Sequence, residues 1–271
     1  MPADLIESLA TEIERLWRSN QPSAAGIRQL ARKILLDAWD AEAFETPAEL
    51  PPRTSDRAAI LAKSLLAARS IAWMSTVFAT RERSSAEELV IAALLCDAGC
   101  VRPGRADLPA DDPEHPAIAA ALAAGLEGVS ISLPVRIARH HERFDGTGSP
   151  AALAGQRLAI EDRLLAAMIR FAELHETDVL DTAMQLHDEA RRGLFDPELT
   201  ANFVWAVGRR LPVTVGFGGQ APQPWPLTDR GRRRLRLDGP HRELAGPHFG
   251  SRVDNHAEAG SSATNPVRRF W

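Results

Sequence analysis

The stretch LPVRIARHHERFDGTGSP, Leu133 to Pro150, decides how this chain is read. Its first half places Leu133, Val135 and Ile137 on the apolar side of an amphipathic helix, predicted over 132–144, that ends in two adjacent histidines, His140 and His141. Neighbouring helical residues point about 100° apart, so both rings can border one pocket. Imidazole is the commonest metal-binding side chain because it is often neutral near pH 7. The turn that follows, Asp145 to Gly148, contains Gly146 and Gly148, which permit positive φ and let bare backbone approach a phosphate. A histidine pair alone is as readily a structural or surface feature, so the surroundings must decide.

Outward from this stretch the pattern is helical. Residues 3–19 carry Leu5, Ile6, Leu9, Ile13, Leu16 and Trp17 on one stripe, and a second helix is expected from Pro22 to Phe44. A proline-marked linker, TPAELPPR, precedes a long alanine-rich helix over Ser55 to Arg83. Ser84 and Ser85 with Glu87 and Glu88 give a capping-box signal for a helix through AEELVIAALLCDAG, which would set Cys96 and Cys100 on one face. Residues 101–113 read as a loop, and further helices are expected at 114–126, 157–176, 177–191 and 197–209, the last capped by Asp196 with Pro197 at its first position. Trp17, Trp39 and Trp73 sit at helical spacings and read as core. The one fair strand candidate is VTVGF at 213–217. The fold class is all-α.

Composition agrees with an ordinary globular body: of 271 residues, 45% are apolar and 25% charged. No apolar run is long enough to cross a bilayer, and the first residues carry acids where a signal peptide carries positive charge, so a cytoplasmic location is expected. Two cysteines cannot build a disulfide framework; they read as buried thiols or as a redox or metal pair. From Arg209 onward there are 11 arginines against five acids, which makes a basic tail on an acidic body. Its run GRRRLRLDG at 231–239 reads as a solvated charge run rather than a nucleic-acid site.

His140 to Pro150 resembles the HHERxDGxGYP signature of the HD-GYP family of cyclic di-GMP phosphodiesterases, with Ser149 where the family has tyrosine. ALLCDAGC at 93–100 is similar to the family's ALLHDIGK, and Glu114-His115-Pro116 to its histidine-proline element. Leu153 and Gly155 match positions after the signature, Arg163 falls on an arginine of the family's ARI, and GLFDPELTANF at 193–203 resembles its terminal helix. The resemblance covers residues 60–205 and implies an HD-superfamily helical bundle. It divides the chain into an N-terminal helical segment (1–50), the HD-GYP-like domain (51–210) and an irregular Arg-rich extension (211–271).

What the resemblance implies for chemistry is a phosphodiesterase with two or three metals, commonly iron or manganese, on five histidines and two aspartates. The histidine of the family's HD pair is here Cys96, its following lysine is Cys100, its late aspartate falls on Ile169, and its first histidine would fall near Ser64 to Ala67. Asp97, His115, His140 and His141 remain as ligands for one divalent ion (iron, manganese or zinc) or none, with Cys96 as an optional thiolate and Glu173 a spacing away from the lost aspartate. Asp97 is the candidate catalytic carboxylate; Arg163, Arg143, Gly146 and Gly148 are the candidate phosphate contacts. The expected function is a degenerate signalling domain that binds cyclic di-GMP, a related nucleotide or a protein partner with little or no hydrolysis. The alternative is an active metal-dependent phosphohydrolase with a reduced site.

Overall fold

The computed structural model describes residues 3–41, 44, 57–78, 83–104, 112–175 and 178–208. Among the described residues the architecture is all-α, as the periodicity predicts: α1 (Ala3–Arg18), α2 (Ala25–Asp40), α3 (Arg57–Phe78), α4 (Arg83–Leu95), α5 (His115–Ala124), α6 (Ser132–Ala138), α7 (Ile160–Leu174), α8 (Val179–Arg191) and α9 (Pro197–Gly208), with a single 3₁₀ turn at Gly155–Arg157. The tail beyond 208, with its strand candidate and arginine run, and the linker at 45–53 lie outside the described residues.

The hydrophobic pattern sorts the helices by depth. α3 and α4 are apolar round nearly the whole circumference and form the interior, with Leu61, Leu65, Ile71, Leu89, Ile91 and Leu94 all within 1% of complete burial. α1 has one buried stripe, Leu5, Leu9, Ile13 and Leu16, and with α2 it packs on α3. Arg28 and Arg32 of α2 both reach Glu87 of α4, at 2.7 and 2.8 Å. Trp73 is buried, whereas Trp17 and Trp39 are half-buried. The Trp17 indole N–H donates to Ala98 O at 3.2 Å, which ties α1 to the turn after α4. On the far side, Phe171 and Phe203 meet edge to face at 4.9 Å and join α7 to α9.

Three local expectations change. α4 begins at Arg83, so both serines lie within its first turn, and Glu87 and Glu88 serve tertiary contacts: Glu88 accepts from Ser130 N–H and Oγ. α4 also stops at Leu95, because bonds to the third residue back take over (Ala98 N–H to Leu95 O and Cys100 N–H to Asp97 O, each 3.0 Å), so Cys96 and Cys100 share a turn, not a helix face. α6 ends at Ala138 for the same reason: Glu142 N–H bonds to Arg139 O at 2.8 Å, and His140 and His141 fall in the tighter turn beyond. That turn brings the two rings to 4.1 Å, a closeness that a continuous helix would not give. Asp196 caps α9 as predicted, its Oδ1 accepting from Glu198 N–H and Leu199 N–H.

Candidate metal centre

Four side chains from three segments converge where α4 ends: Asp97 from the turn after α4, His115 as the first residue of α5, and His140 and His141 from the turn after α6. Glycine makes the approach possible. A Cβ on Gly99 would lie 2.5 Å from His115 O, so only glycine lets the Asp97 turn pack this closely on the start of α5. The ring Nδ1 atoms of His115 and His140 each lie 2.6 Å from a carbonyl oxygen, Asp112 O and Ile137 O. A carbonyl only accepts, so each Nδ1 carries the hydrogen and each neutral ring presents a bare Nε2.

Those Nε2 atoms point at one another. His115 Nε2 is 3.0 Å from His140 Nε2, 3.2 Å from His141 Nε2 and 3.4 Å from Asp97 Oδ1. Lone pairs at such separations repel unless a proton or a cation stands between them. A tetrahedral ion with bonds of about 2.0–2.1 Å sets its ligand atoms about 3.4 Å apart. Nδ1–H donation to backbone carbonyls is the usual way to orient metal-bound imidazoles. The residues therefore fit a divalent metal.

Without a cation, a proton takes that place. Burial works against charge on His115, but its hydrogen bonds with Asp97 and Cys100 prevail and raise it to about 10. Burial and the neighbouring charge of His141 push His140 down to about 3, and burial with the charge of His115 lowers His141. Burial raises Asp97, yet the hydrogen bond with His115 and the charges of the three rings outweigh it, to about 2.

The opposite wall is of another kind. Ile60, Ser64 and Ala67 of α3, Cys96, and Ile169 and Ala172 of α7 line a pocket that reaches Asp97. Ser64 stands in the interval where the family's first histidine is expected, and its hydroxyl donates to Asp97 Oδ2 at 3.2 Å. Cys96 is fully buried, and its thiol lies 3.1 Å from Ala93 O and 3.5 Å from Asp97 Oδ2. Burial, with the charge of Asp97, raises that thiol well above its ordinary range, which keeps it neutral. Glu173 borders the same pocket but pairs with Arg170 at 3.0 Å.

Of the phosphate candidates, Arg163 is placed elsewhere. Its guanidinium is committed to Asp196 at 2.5 Å and to Gln156 at 3.3 Å, and it lies over the Phe144 ring. It ties α7 to the cap of α9. The glycines also serve the fold: Gly146 takes φ +82°, and a Cβ on Gly148 would meet Arg143 N at 2.3 Å and His141 O at 2.5 Å. The bare face of Gly148 is thus occupied by the chain's own backbone, not left for a phosphate. Arg143 alone of these is exposed beside the histidines, with its charge felt at His141.

Two residues escaped the sequence reading, and a third gains a sharper place. Glu142, 1% exposed, accepts from Ala151 N–H at 2.6 Å and Leu153 N–H at 3.0 Å, and so holds the loop that follows the signature. Lys63 borders the pocket; its signal was there, one of two lysines in a chain otherwise charged by arginine. Cys100, unlike Cys96, falls in a cluster of three ligand-type side chains. Its sulfur, a ring nitrogen of His115 and a carboxylate oxygen of Asp97 all lie within 4.8 Å of one another.

Comparison with known proteins agrees with this fold. A family model described as HD domain matches residues 112–199. The cyclic di-GMP phosphodiesterase response regulator RpfG of Xanthomonas campestris pv. campestris is 34% identical over 90 residues, 31% of this chain. The chain covers 24% of that relative's length. A solved structure of Bd1817, a HDG"Y"P protein from Bdellovibrio bacteriovorus, shares the fold with a TM-score of 0.58 at 13% identity, over 74% of this chain and 69% of the other. Taken with the signature from His140 to Pro150, these matches support an HD-GYP type of chain, with the HD domain itself matched over residues 112–199.

Proposed function

We propose that this chain is an HD-GYP signalling domain that holds one divalent ion on Asp97, His115, His140 and His141, and engages a nucleotide or protein partner with little or no phosphodiester hydrolysis. The observation that carries the reading is the contrast across Asp97: three imidazole nitrogens on one side, and Ser64, Cys96 and Ile169 on the other. A hydroxyl, a thiol turned to a carbonyl and an alkyl chain give a second ion nothing to replace its water shell. Bound metals of this class acidify water and polarise phosphoryl oxygens, and a paired site does both at once. The chain's own part is to orient the rings through Asp112 O and Ile137 O, to hold negative charge at Asp97, and to offer exposed Arg143 to an anionic partner. Cyclic di-GMP, the substrate in the name of the Xanthomonas relative, is the nucleotide to try first. No helix among the described residues is long and apolar enough to cross a membrane.

A second reading, an active phosphohydrolase on a reduced site, draws on the same intact histidine wall. Elemental analysis of protein purified without chelator separates the two, with His140→Ala as control. We expect about one equivalent of iron, manganese or zinc in the wild type and none in the variant, with cyclic di-GMP bound but not turned over. Turnover with one or two equivalents bound would establish the active reading. An empty protein after anaerobic metal loading would remove the metal from both.

A further inference from the structure

We infer that Cys100 supplies a sulfur ligand to the metal of this site, which makes it a mixed nitrogen, oxygen and sulfur centre suited to zinc rather than manganese. The inference rests on the one-ion reading above and concerns what that ion is. Cys100 is not an isolated thiol. It is 5% exposed, in the same turn as Asp97, and that turn is closed by its own N–H on Asp97 O at 3.0 Å. Gly99 presses the turn against the backbone of His115. These two constraints bring the sulfur, the Asp97 carboxylate and the His115 ring within 4.8 Å of one another, and the same His115 ring is the hub of the histidine triangle. Two sets of ligand-type atoms thus meet at a single shared residue.

The chemistry of that donor set differs from an all-oxygen-and-nitrogen one. Thiolate is a soft ligand and favours zinc, cobalt or iron over manganese and magnesium. On binding, the S–H bond breaks, the proton leaves to solvent and the sulfur lone pair is shared with the ion, with no change of oxidation state. A position that in the resembling family carries a cationic lysine would become an anionic ligand. The charge of Cys100 would then partly replace that of the carboxylate absent at Ile169.

The test is a cobalt(II) titration of the full chain, followed by its optical spectrum, on wild type, Cys100→Ser, Cys96→Ser and His140→Ala. We expect an intense near-ultraviolet thiolate-to-cobalt band in the wild type and in Cys96→Ser. In Cys100→Ser that band is lost while the weak visible bands persist, and zinc affinity falls by about 100-fold, the upper end of what loss of a merely supporting group costs. X-ray absorption of the zinc-loaded wild type makes the result independent of how any variant folds: one sulfur neighbour near about 2.3 Å is expected. Visible cobalt bands without a sulfur band or sulfur neighbour would overturn the role of Cys100 and leave the one-ion site standing. A sulfur band lost in Cys96→Ser but kept in Cys100→Ser would overturn it too. Failure of the wild type to bind cobalt at all would overturn both readings together.

Discussion

The signature loop and the pocket wall facing it lie on two sides of Asp97, and they carry different kinds of information. From His140 to Leu153 nearly every matched residue supports the loop itself. Glu142 holds the backbone N–H groups of 151 and 153, Asp145 accepts from Thr147 N–H at 2.9 Å, and Gly148 lets the loop fold onto Glu142. The facing wall is built from single residues on α3, α7 and the turn after α4, and there Ser64, Cys96 and Ile169 stand where the resemblance expects ligands. A loop that must fold in order to present His140 and His141 stays recognisable whatever the chemistry. Scattered wall positions can lose a ligand and keep their packing, since a helix buried all round accepts an apolar or small polar side chain without rearrangement. A long matching stretch therefore reports the scaffold, and the fate of the chemistry is read from isolated positions.

Arg163 gives the sharpest way to break that contrast. If it belongs to the scaffold, Arg163→Ala leaves Asp196 as a buried charge without its partner, and stability should fall by about 3–5 kcal/mol in urea unfolding. The side chains are 10% and 7% exposed, so solvent screens the pair little. Metal content of the folded fraction should not change. An unchanged unfolding midpoint with weakened nucleotide binding would move Arg163 into the ligand site.

Glu142 is a smaller test of the same idea. Glu142→Gln keeps one acceptor oxygen but turns an NH₂ group toward a backbone N–H, so about 2–3 kcal/mol should be lost. Because the loop it holds follows directly on His140 and His141, the variant should also bind metal more weakly, with the loss partly recovered at high metal concentration. Weakened metal binding at unchanged stability would mean that Glu142 acts on the site directly and not through the loop.

Much of the fold was legible because periodicity and punctuation agree: the stripe of α1, the all-round apolar character of α3 and the Asp196-Pro197 start of α9 each have one reading. The residues that converge were legible as well: His115, His140 and His141 meet in one cluster. What was not legible turns on three-residue bonds at helix ends. The pattern LPVRIARHHERF is continuous in sequence, yet the chain tightens after Ala138, and only that turn brings the two rings together. The same tightening after Leu95 separates Cys96 from Cys100, so the residue on the matched HD position is not the thiol that clusters with both Asp97 and His115. The pairing of Arg163 was hidden for a different reason: its partner Asp196 is 33 residues away in sequence, and no local pattern announces it.

Cys96 should give the smallest effect, and for that reason it measures the contrast most finely. It fills a fully buried site on the wall, with its thiol against Ala93 O. Serine keeps the donor and nearly the shape, but exchanges a weakly polar sulfur for a hydroxyl that must be desolvated, so Cys96→Ser should cost about 1 kcal/mol. Metal stoichiometry, metal preference and nucleotide binding should all stay as in the wild type, since Cys96 belongs to neither ligand cluster. If metal content drops with Cys96→Ser while the helical signal is intact, the wall is not inert: the thiol would then be turned toward the ion, and the two sides of Asp97 would be one site after all.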